Sequence, residues 1–129
     1  MTVRAIVVDD SPPARGHVGR MLAELGFEVF EASNGREAAE VVDRLGEVTL
    51  VVLDWNMPDT DGIWFLNALR VDRQRQDVLV LMATGNSDFE SVKHALELGA
   101  NEYMMKPFSA ADLGDKLRIM GFQFEGDPA

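Results

Sequence analysis

Short apolar runs alternate along the chain with stretches whose apolar residues recur every three or four positions. Ala5-Ile6-Val7-Val8 is apolar at every position, which predicts a strand covered on both faces, as in a parallel sheet. Ser11 offers an N-cap, with Pro12 and Pro13 in the first turn, where a missing N–H costs nothing. Val18, Met21, Leu22 and Leu25 follow at helical spacing, and Gly26 stops that helix. The unit then repeats. Glu28–Ala32 is a shorter, more polar run, predicted as an edge strand. Ser33 or Asn34 caps a helix with Ala38, Val41, Val42 and Leu45 on one face. Val48–Leu53 is a second buried strand, and a loop with Pro58 and Gly62 leads to a helix near Ile63–Leu69. Val78–Ala83 is the next strand, and Asp88 starts a helix through Val92, Ala95, Leu96 and Leu98 that Gly99 ends. Glu102–Met105 is the last strand, and Ser109 caps a helix with Leu113, Leu117 and Met120. Five strand–helix units predict an α/β fold, a (βα)5 doubly wound five-stranded parallel sheet with right-handed crossovers. Residues 1–120 read as one domain and 121–129 as a short tail with no legible signal.

Composition narrows the chemistry. The 129 residues hold no cysteine, so disulfides, zinc–thiolate sites and thiol nucleophiles are excluded. His17 and His94 are too few for a histidine-based metal site, and both read as solvated helix residues. The net charge of −10 would repel a duplex or an anionic membrane, so neither nucleic acid nor membrane is expected as a partner. The N-terminus lacks a signal-peptide pattern and no apolar run is long enough to span a bilayer, so a cytoplasmic location is expected.

A doubly wound sheet carries its ligand site at the carboxyl ends of its strands. The first strand ends in Asp9-Asp10, the third in Asp54, the fourth in Thr84-Gly85 and the fifth in Lys106-Pro107. If the first and third strands are neighbours, three carboxylates converge. Their mutual repulsion is relieved by a cation, and oxygen-only ligands favour Mg²⁺. Lys106 adds a positive charge, Thr84 a hydroxyl donor, and Gly85 a backbone N–H that a phosphoryl group can approach closely. These parts suit phosphoryl transfer to a carboxylate nucleophile. Each piece taken alone has an ordinary reading: a turn, a helix cap or a surface lysine. Arg15 reads as a plain surface residue of the first helix, with a part in docking a kinase as the alternative.

The segments Val8-Asp9-Asp10-Ser11, Leu53-Asp54-Trp55-Asn56-Met57-Pro58, Asp61-Gly62, Ala83-Thr84-Gly85, Gly99-Ala100 and Tyr103 through Lys106-Pro107-Phe108 carry a resemblance to the receiver domain of two-component response regulators. The separations of 44 positions from Asp10 to Asp54, 30 on to Thr84 and 22 on to Lys106 are similar to the family's. Trp55, directly after the third strand's aspartate, is reminiscent of stand-alone chemotaxis receivers. The resemblance covers nearly the whole chain and implies the flavodoxin-like strand order 2-1-3-4-5. It also implies roles. Asp54 would accept the phosphoryl group, as a phosphoacceptor rather than the nucleophile of a multiple-turnover enzyme. Asp10 and Asp54 would bind Mg²⁺ directly with the Asn56 carbonyl, and Asp9 through a metal-bound water. Lys106 would pair with the phosphoryl group, and its bond to Pro107 would be cis. Thr84 would move its hydroxyl onto the phosphoryl group, and Tyr103 would change rotamer in response. The donor would be a histidine kinase or a histidine phosphotransfer protein. A downstream protein target would read the fourth helix, fifth strand and fifth helix. Thr60, Gly85 and the Trp64-Phe65 pair depart mildly from the family's pattern without removing a needed group. The chain reads as a single-domain regulator or as a receiver taken from a longer protein.

Three rivals belong to other classes. Asp59-Thr60-Asp61-Gly62 is faintly similar to the Asp-x-Asp signature of haloacid-dehalogenase-like phosphatases, but Asn56-Met57-Pro58 separates it from the strand. A flavin or nucleotide module would need a GxGxxG or a P-loop, and neither is present. A phosphorylation-independent adaptor has no use for an intact acceptor, acid pair, Thr84 and Lys106.

Overall fold

The structure, a computed structural model, describes residues 3–55, 61–85 and 89–127. In chain order the elements are β1 (Arg4–Val8), α1 (Pro12–Glu24), β2 (Glu28–Ala32), α2 (Gly35–Leu45) and β3 (Leu50–Asp54). After them come α3 (Asp61–Val71), a 3₁₀ turn (Arg73–Arg75), β4 (Leu79–Thr84), α4 (Phe89–Leu98), β5 (Glu102–Met105) and α5 (Ala110–Ile119). All five strands are parallel in the order β2-β1-β3-β4-β5, so the predicted doubly wound sheet and strand order are present. The polar strand Glu28–Ala32 is at one edge and β5 at the other.

Each face of the sheet has its own core. Ile6, Val8, Val51, Leu53, Val80 and Met82 pack under α2, α3 and α4, with Phe65 and Leu66 as the largest contributions from the helices. Ala5, Val7, Leu50, Val52, Leu81 and Ala83 pack under α1 and α5 against Leu22, Leu113 and Leu117. This two-sided burial explains why the central strands are apolar at every position.

Local chemistry sets the boundaries. The Ser11 side chain accepts from the Ala14 N–H to cap α1, with prolines in the first two helical positions. Asn34, not Ser33, caps α2, accepting from the Glu37 N–H, while the Ser33 hydroxyl bonds the Glu37 carboxylate. Ser109 and Asp112 form a reciprocal capping box at α5, whose backbone bond from Ser109 holds the Asp112 carboxyl below its ordinary pKa. β3 and β4 are both displaced toward the carboxyl end of the chain from their predicted ranges. Val48 and Thr49 precede β3, and the ladder reaches Asp54, paired with Ala83. Likewise Val78 precedes β4, which reaches Thr84, paired with Met105. Val48 and Val78 are nonetheless buried, so apolar character marked burial there and not strand pairing. The predicted helix start at Asp88 lies outside the described residues.

The tail is structured. Phe122 and Phe124 both meet Phe27 edge-on, at ring-centroid distances of 5.4 and 6.0 Å. Arg118 of α5 pairs with Asp127 at 2.9 Å and lies over the Phe124 ring, and the same carboxylate oxygen accepts the Phe124 N–H. This strap covers the corner between α1 and β2, below the amino ends of the strands. Phe122→Ala is expected to lower stability by about 1–2 kcal/mol, the worth of a half-buried ring with an edge-on partner. The check is a lower denaturant midpoint at unchanged slope; an unchanged midpoint would mean the strap contributes nothing.

Candidate functional site

The parallel ladder delivers each candidate side chain to one crevice. The Asp9 N–H donates to Ala32 O just past β1, and Trp55 N–H to Ala83 O just past β3. The Lys106 N–H donates to Thr84 O, closing β5 onto the end of β4. Strand order places β1 and β3 side by side at the centre, so Asp9, Asp10 and Asp54 meet there. One carboxylate oxygen from each lies within 4.8 Å of the others.

Asp9 and Asp54 are 3% and 5% exposed, while Asp10 is exposed. The Lys106 Nζ reaches into the cluster, 3.1 Å from Asp54 Oδ1 and 3.3 Å from Asp9 Oδ2. Its approach follows the turn after β5, where the Lys106-Pro107 bond is cis. Burial works to lower the Lys106 pKa, but the bond and charge of Asp54, then those of Asp9, outweigh it and raise the value. The ammonium therefore stays charged. Asp9 Oδ1 accepts the Ser11 N–H at 2.9 Å, which fixes the carboxylate at the head of α1. Thr84 is fully buried at the end of β4, and Gly85 follows it, exposed.

Among the described residues one ammonium, paired with Asp9 and Asp54, stands against the three carboxylates of the cluster, so the pocket keeps a surplus of negative charge. Every candidate donor is an oxygen. Such a set fits a hard divalent cation, which tolerates carboxylates and water and does not require nitrogen or sulfur. Asn56, expected to lend its carbonyl, lies outside the described residues. Tyr103 is 36% exposed on the edge strand, away from the acidic cluster in the chain but on the adjoining strand to Thr84.

Arg15 departs from its expected role as plain surface. Its Nη1 donates to Asp9 O at 2.8 Å and its Nε pairs with Glu31 at 3.0 Å, tying the loop that carries the acid pair to the edge strand β2. Only β1–β2 adjacency brings Glu31 within reach, and helical spacing within α1 carries no trace of it. Trp64 is half-buried against the α2–α3 core, with the Arg36 guanidinium 4.4 Å over its ring. Met104 is core and Met105 exposed, as strand alternation requires. No helix among the described residues is long and apolar enough to cross a membrane.

Residues 5–118 match the family described as the response regulator receiver domain. Chemotaxis protein CheY1 of Helicobacter pylori is 34% identical over 119 residues, covering 92% of this chain and 96% of that protein. Chemotaxis protein CheY-3 of Vibrio cholerae is 37% identical over 116 residues, covering 89% of this chain and 88% of that one. The solved structure of Vibrio cholerae chemotaxis protein CheY4 superposes with a TM-score of 0.85 at 29% identity, covering 92% of this chain and 98% of that chain. A CheY-like receiver domain protein from Methanospirillum hungatei gives a TM-score of 0.82 at 26% identity, covering 93% of this chain and 94% of that chain. With the match running from the first strand into the last helix, the chain belongs to the response regulator receiver domain family.

Proposed function

We propose that this chain works as a single-domain response regulator that accepts a phosphoryl group on Asp54 and signals through altered protein binding. One observation carries the reading: a buried aspartate at a central strand end, held 3.1 Å from an ammonium and within 4.8 Å of two further carboxylates. Helicobacter pylori CheY1 is matched over 96% of its own length, so that relative consists almost wholly of this domain. The cation would be Mg²⁺, held directly by Asp10 and Asp54 with the Asn56 carbonyl and through a water by Asp9. When bound, Mg²⁺ supplies neutralising charge to the phosphoryl oxygens.

The remaining chemistry belongs to the side chains. An Asp54 carboxylate oxygen attacks phosphorus in line. A phosphorus–oxygen bond forms as the donor's bond to phosphorus breaks, and the leaving imidazole of a phosphohistidine departs with the electron pair. Lys106 gives its ammonium to the phosphoryl oxygens, compensating the charge that two buried carboxylates would otherwise oppose. Thr84 and the Gly85 N–H offer further donors at the neighbouring strand end. The same pocket would later admit water to hydrolyse the acyl phosphate, so the chain catalyses only its own phosphorylation and dephosphorylation. A histidine kinase or histidine phosphotransfer protein would be the donor. Thr84 and Tyr103 would relay the modified state to the face of α4, β5 and α5, where Leu96, Tyr103 and Met105 are exposed apolar residues for a protein target.

The test is intact mass after incubation with acetyl phosphate and Mg²⁺, beside a sample with EDTA. One added phosphoryl group that EDTA prevents is the expected result. No addition from acetyl phosphate or from a histidine kinase, in a folded protein that binds Mg²⁺, would overturn the reading.

A further inference from the structure

Tyr103 pairs in register with Met82 on β4, and Thr84 follows Met82 by two residues, so Tyr103 and Thr84 face the same side of the sheet. An inward movement of the ring toward Thr84 is thus a movement along one face. What opposes it here comes from α5, around the edge of β5. The Lys116 Nζ lies over the Tyr103 ring, 5.4 Å from its centroid. The same ammonium is 3.5 Å from Glu102 Oε1. That oxygen also accepts the Tyr103 backbone N–H at 3.0 Å. One carboxylate oxygen therefore joins the strand at Tyr103 to the cation at its ring, and the ring's negative face attracts that cation.

We propose that Lys116 and Glu102 form a clasp that holds Tyr103 in its exposed position and so set the resting balance of the switch. The proposal rests on reading Tyr103 as the switch residue. Both members are positioning residues: they act on Tyr103 and touch neither the acidic cluster nor the phosphoryl group. Each is partly solvated, so the clasp biases the tyrosine and does not lock it. A partly exposed ion pair with a cation over an aromatic ring shifts a two-state balance by about threefold to tenfold. A bias of that size keeps the resting state mostly outward yet leaves it reversible by a ligand with modest preference for the inward state.

Tyr103 is the chain's single tyrosine, so fluorotyrosine incorporation gives one fluorine signal that reports this residue alone. The experiment measures the fraction of that signal shielded from a soluble neutral paramagnetic chelate, in the full chain. The resting wild type is expected to be mostly accessible and, with acetyl phosphate and Mg²⁺ and phosphorylation verified by mass, mostly shielded. Lys116→Met and Glu102→Gln should raise the shielded fraction at rest about threefold to tenfold, and Lys116→Arg should restore it. A resting fraction equal to wild type in both Lys116→Met and Glu102→Gln overturns the clasp while leaving the switch intact. A wild-type signal that stays accessible after verified phosphorylation overturns the switch reading and the clasp together.

Discussion

Asp54→Ala is expected to take up no phosphoryl group from acetyl phosphate and Mg²⁺, with its fold retained. The loss is expected to be complete because the described residues of the pocket offer no equivalent second nucleophile. Asp9 has one carboxylate oxygen engaged by the Ser11 N–H and the other by Lys106. Asp10 is exposed at the rim. Retention of the fold follows from charge. In the wild type two buried carboxylates share one ammonium, whereas the variant leaves Lys106 paired one-to-one with Asp9. Removing a like-charged neighbour relieves repulsion, so the metal-free variant should be no less stable than wild type despite the small void. Intact mass reads the chemistry and a denaturant midpoint reads the fold. A phosphoryl group still added at a comparable rate would remove Asp54 from the acceptor role and direct the search to Asp9 or Asp10.

Gly99→Ala should produce the largest loss of stability among single-methyl additions at the described glycines of positive φ, about 2–4 kcal/mol. Gly99 has a φ of +119°, outside the range an L side chain adopts readily, and that alone costs roughly 1–3 kcal/mol. Its added Cβ would also lie 2.7 Å from Arg70 Cγ and 3.0 Å from Arg70 Nε. Arg70 cannot yield cheaply. Its guanidinium donates to Gly99 O at 3.0 Å and to the Asn101 side chain at 2.8 Å, with weaker bonds to Arg75 O and Gln76 O. Asn101 in turn accepts the Val80 N–H, so the clamp fixes the α4–β5 turn to β4 and to the end of α3. Gly121→Ala is the matched control, because its φ is +108° and nothing lies within 4 Å of the added atom. Thermal or chemical denaturation should rank Gly99→Ala below Gly121→Ala. Equal midpoints would show that the Arg70 contact carries no cost and that backbone conformation is the whole effect.

Strand content and helix faces were legible because two-sided burial writes itself as continuous apolar runs and one-sided burial as helical spacing, whereas the strand order came only with the family resemblance. The acidic pocket was legible for a related reason: polar residues directly after apolar runs are placed by the topology at one edge of the sheet. Side-chain partnerships set by tertiary proximity were not legible. Arg15 finds Asp9 O and Glu31, Arg70 finds Gly99 and Asn101, and Lys116 finds Glu102 and Tyr103, yet each sequence position alone reads as a solvated cation. The tail failed for want of length. Phe122 and Phe124 show a single alternation, and their partner Phe27 is near the other end of the chain. Strand limits near Val48 and Val78 failed because hydrophobicity reports burial and only the ladder reports pairing.

The aromatic strap has a practical consequence. It holds the end of α5 and the following residues at the amino ends of the strands, while the acidic crevice opens at their carboxyl ends. About one strand length separates the two, roughly 16 Å for five residues. A protein immobilised through the strap would therefore stand with the crevice turned toward the solution. A sensor surface or a fluorophore attached there would leave phosphodonors free to approach, which makes the strap the natural handle for single-molecule or surface-based measurements of the switch.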